Sequence, residues 1–410
     1  MALQQFFFLR GINVHAPESR DHADELIEFL SGTPIEWVRI HPLPSRRLRA
    51  RNEEGTSYLD AIGKFARAGF NLILPIDVGV RDNVGIVTAP RLRHFIDESY
   101  SESYKAVKQI ETRLEGRSVI YGVENEIDTK EWILQSMPTV RWRETTLSWI
   151  SLSVNSSMKY KRLKNILDGI HDASPGSMTM VNFEADDPRD DWTSMMSFMI
   201  ASQNVLSKMR LLERSTSMRM NNYRFDVVGA MEHLDVDIIG LDNYPNYFTK
   251  FPPRGQEVGR KVDQVSRWSK KPVINVEFGY SSRNPRSLLS SLVNELFPKR
   301  RKVNTLQVSG REAQRTFYEN ALASIANSRS RGTFPWVLYL DPMRTYRPEA
   351  ESGFTLLERG FSKRFEPVPA LSYYLEWLDE GQRSKRIEPI EHEEEPDQEP
   401  DGQEAHVKTK

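Results

Sequence analysis

The sequence predicts an α/β fold, a single (β/α)8 barrel of the TIM type, and three observations support this prediction. Short apolar runs recur along the chain, and each is followed by enough residues for a helix. These runs are almost continuously hydrophobic, which is typical of parallel strands that are buried on both faces. The length of 410 residues accommodates one large barrel with additional segments. This alternation of strands and helical stretches favours βαβ units that close into a ring.

Eight runs are predicted as strands because they are rich in β-branched and aromatic residues. They cover residues 6–14, 37–42, 70–78, 119–124, 178–183, 236–241, 272–278 and 335–340. The stretches between them carry apolar residues at helical spacing. The predicted helices are 23–30, 58–68, 104–114, 158–170, 192–212, 258–268 and 313–326, with a closing helix at 369–378.

Two segments fall outside this regular pattern. Residues 141–157 follow the fourth strand and are predicted as an inserted loop with a short extra strand at 145–154. After Gly381 the chain becomes charged, acidic and proline-bearing, so it cannot bury enough apolar surface to fold. The sequence therefore predicts a barrel domain over residues 1–381 and a disordered acidic tail over 382–410.

The composition excludes several classes of function. Lys and Arg (56) nearly balance Asp and Glu (57), so no overall charge favours nucleic acid or an anionic membrane as partner. The chain has no cysteine, which excludes disulfides, thiolate metal sites and a cysteine nucleophile. No secretion signal or membrane-length apolar run is seen, and no phosphate-binding or dinucleotide motif. We therefore expect a soluble, cytoplasmic protein without a cofactor.

Polar side chains are concentrated where the predicted strands end. In this architecture the carboxyl ends of the strands carry the functional groups. The residues at these ends include His15, Arg39, His41, Asp77, Asn125, Glu126, Asn182, Glu184, Asp242, Asn243, Tyr244, Glu277, Trp336 and Asp341. Carboxylates at several ends, with His, Tyr and Trp between them, exceed what a purely structural rim requires.

Several of these strand ends resemble those of the clan A glycoside hydrolases, retaining (β/α)8 enzymes that include the family 5 cellulases and mannanases. Residues 121–126 (YGVENE) resemble strand four of these enzymes, which ends in an Asn-Glu pair. Residues 272–279 (PVINVEFG) resemble strand seven, and residues 237–245 (DIIGLDNYP) resemble strand six. Residues 11–13 and 37–40 are similar to strands one and two. The resemblance runs from about residue 6 to residue 377.

The resemblance implies a role for each matching residue. Glu126 corresponds to the general acid/base and Glu277 to the nucleophile, so these two residues are the predicted catalytic pair. Tyr244 corresponds to the residue that orients the nucleophile, and Arg39 to the one that keeps it ionised. Residues predicted to form the substrate-binding surface are Arg39, His41, Asn125, Tyr244, Trp336, His15 and Asp77.

The chemistry of a retaining glycosidase requires such a pair. Its two carboxyl groups stand roughly 5–5.5 Å apart, one to protonate the leaving oxygen and one to attack the anomeric carbon. Strands four and seven face each other across a barrel, so Glu126 and Glu277 can meet. Glu124 precedes Glu126 by two residues, and strict strand alternation would point both the same way. The choice between them as the acid therefore stays open at this point.

Substrate class is indicated more loosely. Aromatic residues that could form platforms for sugar rings are Trp132, Trp142, Trp149, Tyr247, Phe248 and Trp336. The resemblance implies a β-linked oligosaccharide, polysaccharide or glycoside as the substrate, and a carbohydrate is therefore the expected partner.

Two alternative functions are compatible with the same residues. A metal-dependent barrel hydrolase could use His15, His41, Asp77 and Glu184, but no strand ends in a His-x-His pair, so no metal is expected. A catalytically inactive barrel could bind glycan through the same residues. A third idea, an interaction protein working through its acidic tail, predicts that deletion after Gly381 removes the function.

Overall fold

The computed structural model describes residues 8–15, 20–41, 43–44, 58–77, 89–124, 160–184, 231, 233–244, 255–282, 310–339, 354–359 and 365–384. Its main feature is a ring of parallel strands. These strands are β1 (Leu9–Val14), β2 (Trp37–Ile40), β3 (Asn71–Asp77), β4 (Val119–Val123), β5 (Met178–Glu184), β6 (Ile238–Asn243), β7 (Val273–Phe278) and β8 (Ser330–Pro335).

Each strand of the ring pairs with the next, and the β1–β8 and β2–β3 pairs complete the circle. β1 pairs with β8 on one side and with β2 on the other, and β2 pairs in turn with β3. The two-residue segment Leu43–Pro44 adds a further parallel pairing at the carboxyl end of β3. The predicted single (β/α)8 barrel is therefore confirmed.

Helices lie between the strands in the chain, as βαβ units require. Those described are α1 (Arg20–Ser31), α2 (Tyr58–Arg67), α3 (Ala89–Glu111), α4 (160–173), α5 (Glu257–Ser269), α6 (Arg311–Ala326) and α7 (Pro369–Ser384). A short antiparallel hairpin, β9 (Leu357–Arg359) and β10 (Phe365–Pro367), precedes α7. None of the described helices combines the length and hydropathy of a membrane span. The cytoplasmic location stays a prediction.

The apolar core has two layers, one inside the ring and one between the ring and the helices. The inner layer consists of Leu9, Trp37, Ile73, Ile120, Met180, Ile238, Ile274, Val276 and Phe334. Gly11 belongs to this layer because a Cβ there would lie 1.9 Å from the ring of Phe334. The outer layer is larger and includes the alternate residues of the same strands, such as Ile12 and Val38. The near-continuous hydrophobicity of the strands therefore reflects burial on both faces.

The structure corrects the position of the eighth strand. The prediction placed it at 335–340, where the chain is apolar, but β8 is Ser330–Pro335. This strand has few apolar residues, so the hydrophobic pattern did not reveal it. Gly332 lets the backbone approach Leu9 and Ile274 inside the ring, and the polar residues Ser330 and Thr333 are also buried. The apolar residues from Trp336 onward follow the strand instead of forming it.

Other differences concern lengths and undescribed segments. α3 begins at Ala89, well before the predicted start at 104, and α7 continues to Ser384. The predicted insertion at 141–157, the helix at 192–212 and residues 385–410 of the predicted tail lie outside the described residues. The domain boundary at 381 and the disorder of the tail stay predictions.

Candidate active site

Strand alternation carries polar side chains into the ring above the inner apolar layer. Leu9 and Gly11 of β1 face inward, so Asn13 does too, and on β2 Trp37 is followed by Arg39 in the same direction. Asn13 and Arg39 are both fully buried. The carboxyl half of the barrel interior is therefore polar, and the amino half is apolar.

Glu277 enters this polar layer through an irregularity in β7. Ile274 and Val276 face inward and Phe278 faces the outer layer, so strict alternation would turn Glu277 outward. The pairing with β6 slips at this point, because Leu241 is opposite Asn275 whereas Asp242 is opposite Glu277. The pairing with β8 is irregular over the same residues. A β-bulge at Val276 thus re-aims the carboxylate into the barrel.

The Glu277 carboxylate is held at both oxygens. Its Oε1 forms an ion pair with Nη1 of Arg39, and its Oε2 accepts a hydrogen bond of 2.8 Å from the Tyr244 hydroxyl. Glu277 is 4% exposed. Burial opposes the charge of Arg39, but attraction to Glu277 and Asp242 outweighs it, so the pKa of Arg39 is raised. Arg39 is therefore a fixed cation that is paired with the Glu277 carboxylate.

Asn13 connects this ion pair to the backbone of the bulge. Its Oδ1 accepts a hydrogen bond of 2.9 Å from Arg39, and its Nδ2 donates to the Val276 carbonyl at 2.7 Å. The same amide lies 2.9 Å from the Phe334 carbonyl oxygen. One side chain thus ties Arg39 to both β7 and β8. Asn13 was seen in the sequence only as part of a strand-one resemblance, and its inward position follows from the Leu9–Gly11 alternation.

A second carboxylate, Asp242, lies in the same layer; the sequence placed it at a strand end but assigned it no catalytic or binding role. It is fully buried, and its Oδ2 accepts a hydrogen bond of 2.6 Å from Asn182 Nδ2. Its charge also acts on Arg39. The signal that could have given it a role is its spacing, because Asp242 on β6 lies two residues before the inward-facing Tyr244, which directly follows the strand.

The predicted residues His15, His41 and Trp336 come together at the mouth of the barrel. The two imidazoles stack with ring centroids 4.7 Å apart, and Trp336 approaches them edge-on at 5.6 and 4.9 Å. Burial lowers the pKa of His15 to about 4. Burial, with smaller contributions from His15 and Arg39, holds the pKa of His41 well below its usual range. This surface is therefore aromatic, hydrogen-bonding and uncharged at neutral pH.

Glu124 is committed elsewhere. It follows β4, has a φ of 62°, and forms a buried ion pair with Arg162 of α4. Each side chain of this pair is 3% exposed. Its carboxylate therefore contacts the helix layer, where it is paired with Arg162.

Three predicted positions cannot be placed in this geometry. Asn125 and Glu126 lie outside the described residues, and the side chain of Asp77 at the end of β3 is likewise not described. The side chain of Glu184, which a metal-dependent hydrolase could use, is not described either. Among the side chains that the structure does describe, no group of three His, Asp or Glu residues could hold a metal ion.

In chemical terms, the described residues provide a buried carboxylate that is paired with a fixed cation and oriented by a phenol. Such a group is suited to nucleophilic attack, because its two oxygens are held in one orientation. The uncharged rim beside it can bind an apolar face and accept or donate hydrogen bonds.

Comparison with solved structures identifies proteins of the same fold. A GH5_18 protein from Streptomyces cattleya, in complex with Manβ1-4GlcNAc, matches with a TM-score of 0.57 at 11% sequence identity, over 93% of this chain and 82% of that one. A fungal β-1,4-galactanase matches with a TM-score of 0.51 at 16% identity, over 90% of this chain and 98% of that one. The clan A resemblance is thus confirmed for the fold: the chain has the (β/α)8 architecture of these glycoside hydrolases.

A third match concerns a longer protein. The β-D-glucuronidase of Dictyoglomus thermophilum matches with a TM-score of 0.50 at 10% identity, and this chain covers 50% of its length. No family model matches the sequence, and no curated protein is similar to it. Function must therefore be argued from the site itself.

Proposed function

We propose that this protein is a retaining glycoside hydrolase acting on a β-linked oligosaccharide, polysaccharide or glycoside. The observation that carries the proposal is the setting of Glu277, held between Arg39 and Tyr244 at the carboxyl end of the ring. Support comes from the shared fold with a β-1,4-galactanase and with a GH5_18 protein bound to Manβ1-4GlcNAc. A protein that only binds glycan has no physical need for a carboxylate held between a cation and a phenol at this depth.

In the first step Glu277 attacks the anomeric carbon while Glu126 donates its proton to the glycosidic oxygen. The bond from Glu277 to the sugar forms as the bond to the leaving group breaks, so the leaving group departs as a neutral alcohol. Arg39 and Tyr244 orient the carboxylate for this attack. As its charge is consumed, Asp242 remains as a second anion beside Arg39.

In the second step water replaces the enzyme on the sugar. Glu126, now ionised, takes a proton from the water as its oxygen attacks the anomeric carbon, and Glu277 leaves as a carboxylate. The two displacements each invert the anomeric centre, so the product keeps the β configuration. Glu126 then carries its proton again, and the cycle is closed.

The side chains at the mouth of the barrel indicate which groups of the sugar they would bind. Trp336 contributes an indole ring packed edge-on with His15 and His41, and the two uncharged imidazoles can bond with hydroxyl groups. These groups suit the hydroxyl groups and apolar face of a pyranose. We propose Asn125 and Asp77 as further hydroxyl-binding residues, on the strength of the sequence resemblance.

A panel of aryl β-glycosides tests the proposal. Wild type is expected to release the aglycone from at least one member, and Glu277→Ala to lose this activity by several orders of magnitude. Azide should restore turnover of Glu277→Ala and give the inverted α-glycosyl azide, which identifies the nucleophile. Glu376→Ala, which changes an exposed glutamate on α7, is the matched control and should behave as wild type.

Two results would favour the alternative functions, a glycan-binding barrel or a metal-dependent hydrolase. Glycan binding by calorimetry, without cleavage and without labelling of Glu277 by an activated fluorosugar, would indicate a binding protein. Activity that a chelator abolishes and that survives Glu277→Ala would indicate a metal-dependent hydrolase.

A further inference from the structure

We propose that Phe354 is a positioning residue, which holds the ring of Tyr244 in the orientation that lets its hydroxyl donate to the Glu277 carboxylate. The inference rests on the proposed function, in which Glu277 is the nucleophile. Phe354 acts through Tyr244 and does not touch the substrate. The evidence is the contact between the two rings, the burial of Phe354 outside the apolar core, and the hydrogen bonds that fix its backbone.

The ring of Tyr244 contacts Phe354 as well as the nucleophile. Tyr244 directly follows β6, and its hydroxyl donates a hydrogen bond of 2.8 Å to Oε2 of Glu277. Phe354 packs edge-to-face with the same ring, with centroids 5.7 Å apart and an interplanar angle of 82°. This is an arrangement that two aromatic rings prefer. The packed ring therefore limits the side-chain rotation that would carry the hydroxyl away from Glu277.

Phe354 is buried, but it lies outside both apolar layers. It is 4% exposed. Leu356 and Leu357, in the same segment, belong to the outer layer, whereas Phe354 is a member of neither layer that the described residues form. A purely structural aromatic residue would be expected to pack with those leucines. Phe354 instead packs at the end of the barrel where Tyr244 lies.

Gly279 leaves the space into which the Phe354 ring fits. It directly follows β7, two residues after Glu277. A Cβ at Gly279 would lie 3.1 Å from Cδ1 of Phe354 and 2.9 Å from the carbonyl oxygen of Trp336. Any side chain at this position would displace one of these two groups. The glycine therefore lets Phe354 approach the end of the strand that carries the nucleophile.

Hydrogen bonds at the next two residues fix the backbone that carries Phe354. The carbonyl oxygen of Thr355 accepts a hydrogen bond of 3.0 Å from Arg311, at the start of α6. The N–H of Leu356 donates one of 3.0 Å to the carbonyl oxygen of Val337, which lies just beyond β8. The segment is thus tied both to the chain that leaves β8 and to the helix that precedes it. The Phe354 ring is therefore presented by a fixed backbone.

A double-mutant cycle separates this role from packing alone. Tyr244→Phe removes the hydroxyl that donates to Glu277 but keeps the ring that Phe354 contacts. If Phe354 acts through that hydroxyl, replacing it slows the wild type and has little further effect in Tyr244→Phe. A loss of packing would cost the same in both backgrounds, because both keep the ring.

The experiment measures kcat/KM on a dinitrophenyl β-glycoside of the sugar that wild type cleaves. This leaving group is acidic enough to depart without a proton, so the rate reports on the nucleophile. In the wild-type background, Phe354→Leu is expected to lower kcat/KM roughly 3- to 10-fold, which is the contribution of one aromatic pair. In the Tyr244→Phe background, the same change should lower it less than about twofold.

Phe65→Leu is the matched control. Phe65 on α2 is fully buried in the outer layer and packs edge-to-face with Phe70, with centroids 6.1 Å apart. Its replacement also removes one ring of an aromatic pair, but it should leave kcat/KM unchanged in both backgrounds.

Phe354→Met covers the case in which leucine at this position prevents folding. Methionine is flexible and fills irregular spaces in a core, so it is tolerated well, but it has no aromatic edge. This variant should show the same pattern, with a loss in the wild-type background and little further loss in Tyr244→Phe.

Each outcome has one meaning. Losses that are equal in the two backgrounds or larger in Tyr244→Phe, or no loss in either, overturn the positioning role, while the proposed function stands on azide rescue of Glu277→Ala. A Tyr244→Phe variant with the wild-type rate also overturns it, since the hydroxyl then has no effect for Phe354 to support. A wild type that cleaves no aryl glycoside and is not labelled at Glu277 by an activated fluorosugar overturns the proposed function, and this role with it.

Discussion

At the scale of single residues, Glu277 depends on groups that come from several strands. Arg39 is on β2, Asn13 on β1 and Tyr244 directly follows β6. The hydrogen bonds among these residues are short, and each donor is buried. Water therefore cannot replace any of these hydrogen bonds. The carboxylate is therefore oriented before any substrate arrives.

Tyr244→Phe tests this orientation with a minimal change. The ring stays and only the hydroxyl that donates to Glu277 Oε2 is lost. A hydrogen bond to a charged group contributes roughly 1.5–3 kcal/mol, so kcat/KM on an aryl glycoside should fall about 10- to 100-fold. Near-UV circular dichroism should be unchanged. A variant with the wild-type rate would show that the phenol does not assist the nucleophile.

The rim histidines make stability depend on pH. In the folded protein the pKa of His15 is lowered to about 4 and that of His41 is also lowered, whereas an unfolded histidine titrates near 6.5. Between these values the unfolded chain binds more protons, so the free energy of unfolding falls as the pH falls. From pH 7 to pH 5 we expect a loss of up to about 2 kcal/mol for each histidine.

Urea unfolding at pH 7, 6 and 5 measures this loss. The window stays above the range in which most carboxylates titrate. A variant with both His15→Asn and His41→Asn should have a much flatter dependence, whereas His233→Asn, at an exposed position, should keep the wild-type slope. A wild-type stability independent of pH in this range would contradict the prediction.

At the scale of elements, the sequence predicts strands well and their irregularities poorly. Runs of apolar residues predicted seven of the eight strands, because a strand buried on both faces is hydrophobic almost without interruption. It did not locate β8, in which Gly332, Ser330 and Thr333 fill places too narrow or too polar for large apolar groups. Patterns of hydrophobicity cannot detect a strand that is buried through small residues.

The site shows the same limit. Local motifs identified Glu277, Arg39 and Tyr244, which the structure brings together. The bulge at Val276 could not be predicted, since it exists only in the pairing of β7 with its neighbours. Nor could the partner of Glu124, because Arg162 is brought to it by tertiary packing alone.

Helix packing gives a prediction at this scale. α5 meets α6 so closely that a Cβ at Gly259 would lie 2.3 Å from the Ser324 carbonyl oxygen. Gly259→Ala would force the helices apart, and we expect a loss of about 1–3 kcal/mol in the free energy of unfolding, or more. Denaturant titration with an unchanged m value measures it.

Gly381→Ala is the matched control for that substitution. It is also a helical glycine, on α7, but it is exposed and a Cβ there would meet nothing within 4 Å. Alanine favours helix over glycine, so this variant should gain roughly 0.5–1 kcal/mol. Equal effects of the two substitutions would show that the close approach of α5 and α6 is not what constrains Gly259.

At the scale of the whole molecule, α7 joins the first and last strands of the ring. The Tyr374 hydroxyl lies 2.7 Å from the Gly11 carbonyl oxygen of β1 and 3.0 Å from that of Thr333 on β8. The buried face of α7 also includes Ala370, Leu371 and Leu378. The helix therefore stabilises the join at which the ring closes.

Two truncations test what the end of the chain contributes. Deletion of residues 385–410 should leave Tm and kcat/KM close to wild type, since the described barrel ends with α7. Deletion from Pro369 should prevent folding, because it exposes side chains worth roughly 1.5–3 kcal/mol each in a domain that is stable by about 5–15 kcal/mol. Loss of activity in the shorter deletion would instead support an interaction role for the tail.

Because the ring is closed, each strand has two neighbours, whichever strand comes first in the chain. β1 and β8 are neighbours, and Phe8, just before β1, packs its ring against Trp377 of α7 with centroids 6.0 Å apart. The two ends of the barrel unit thus lie side by side. A short linker could join them, and a new start could be opened in a loop elsewhere on the ring, with every strand keeping both of its neighbours. The protein is in this sense a candidate for circular permutation, in which the chain is reordered and the barrel is not.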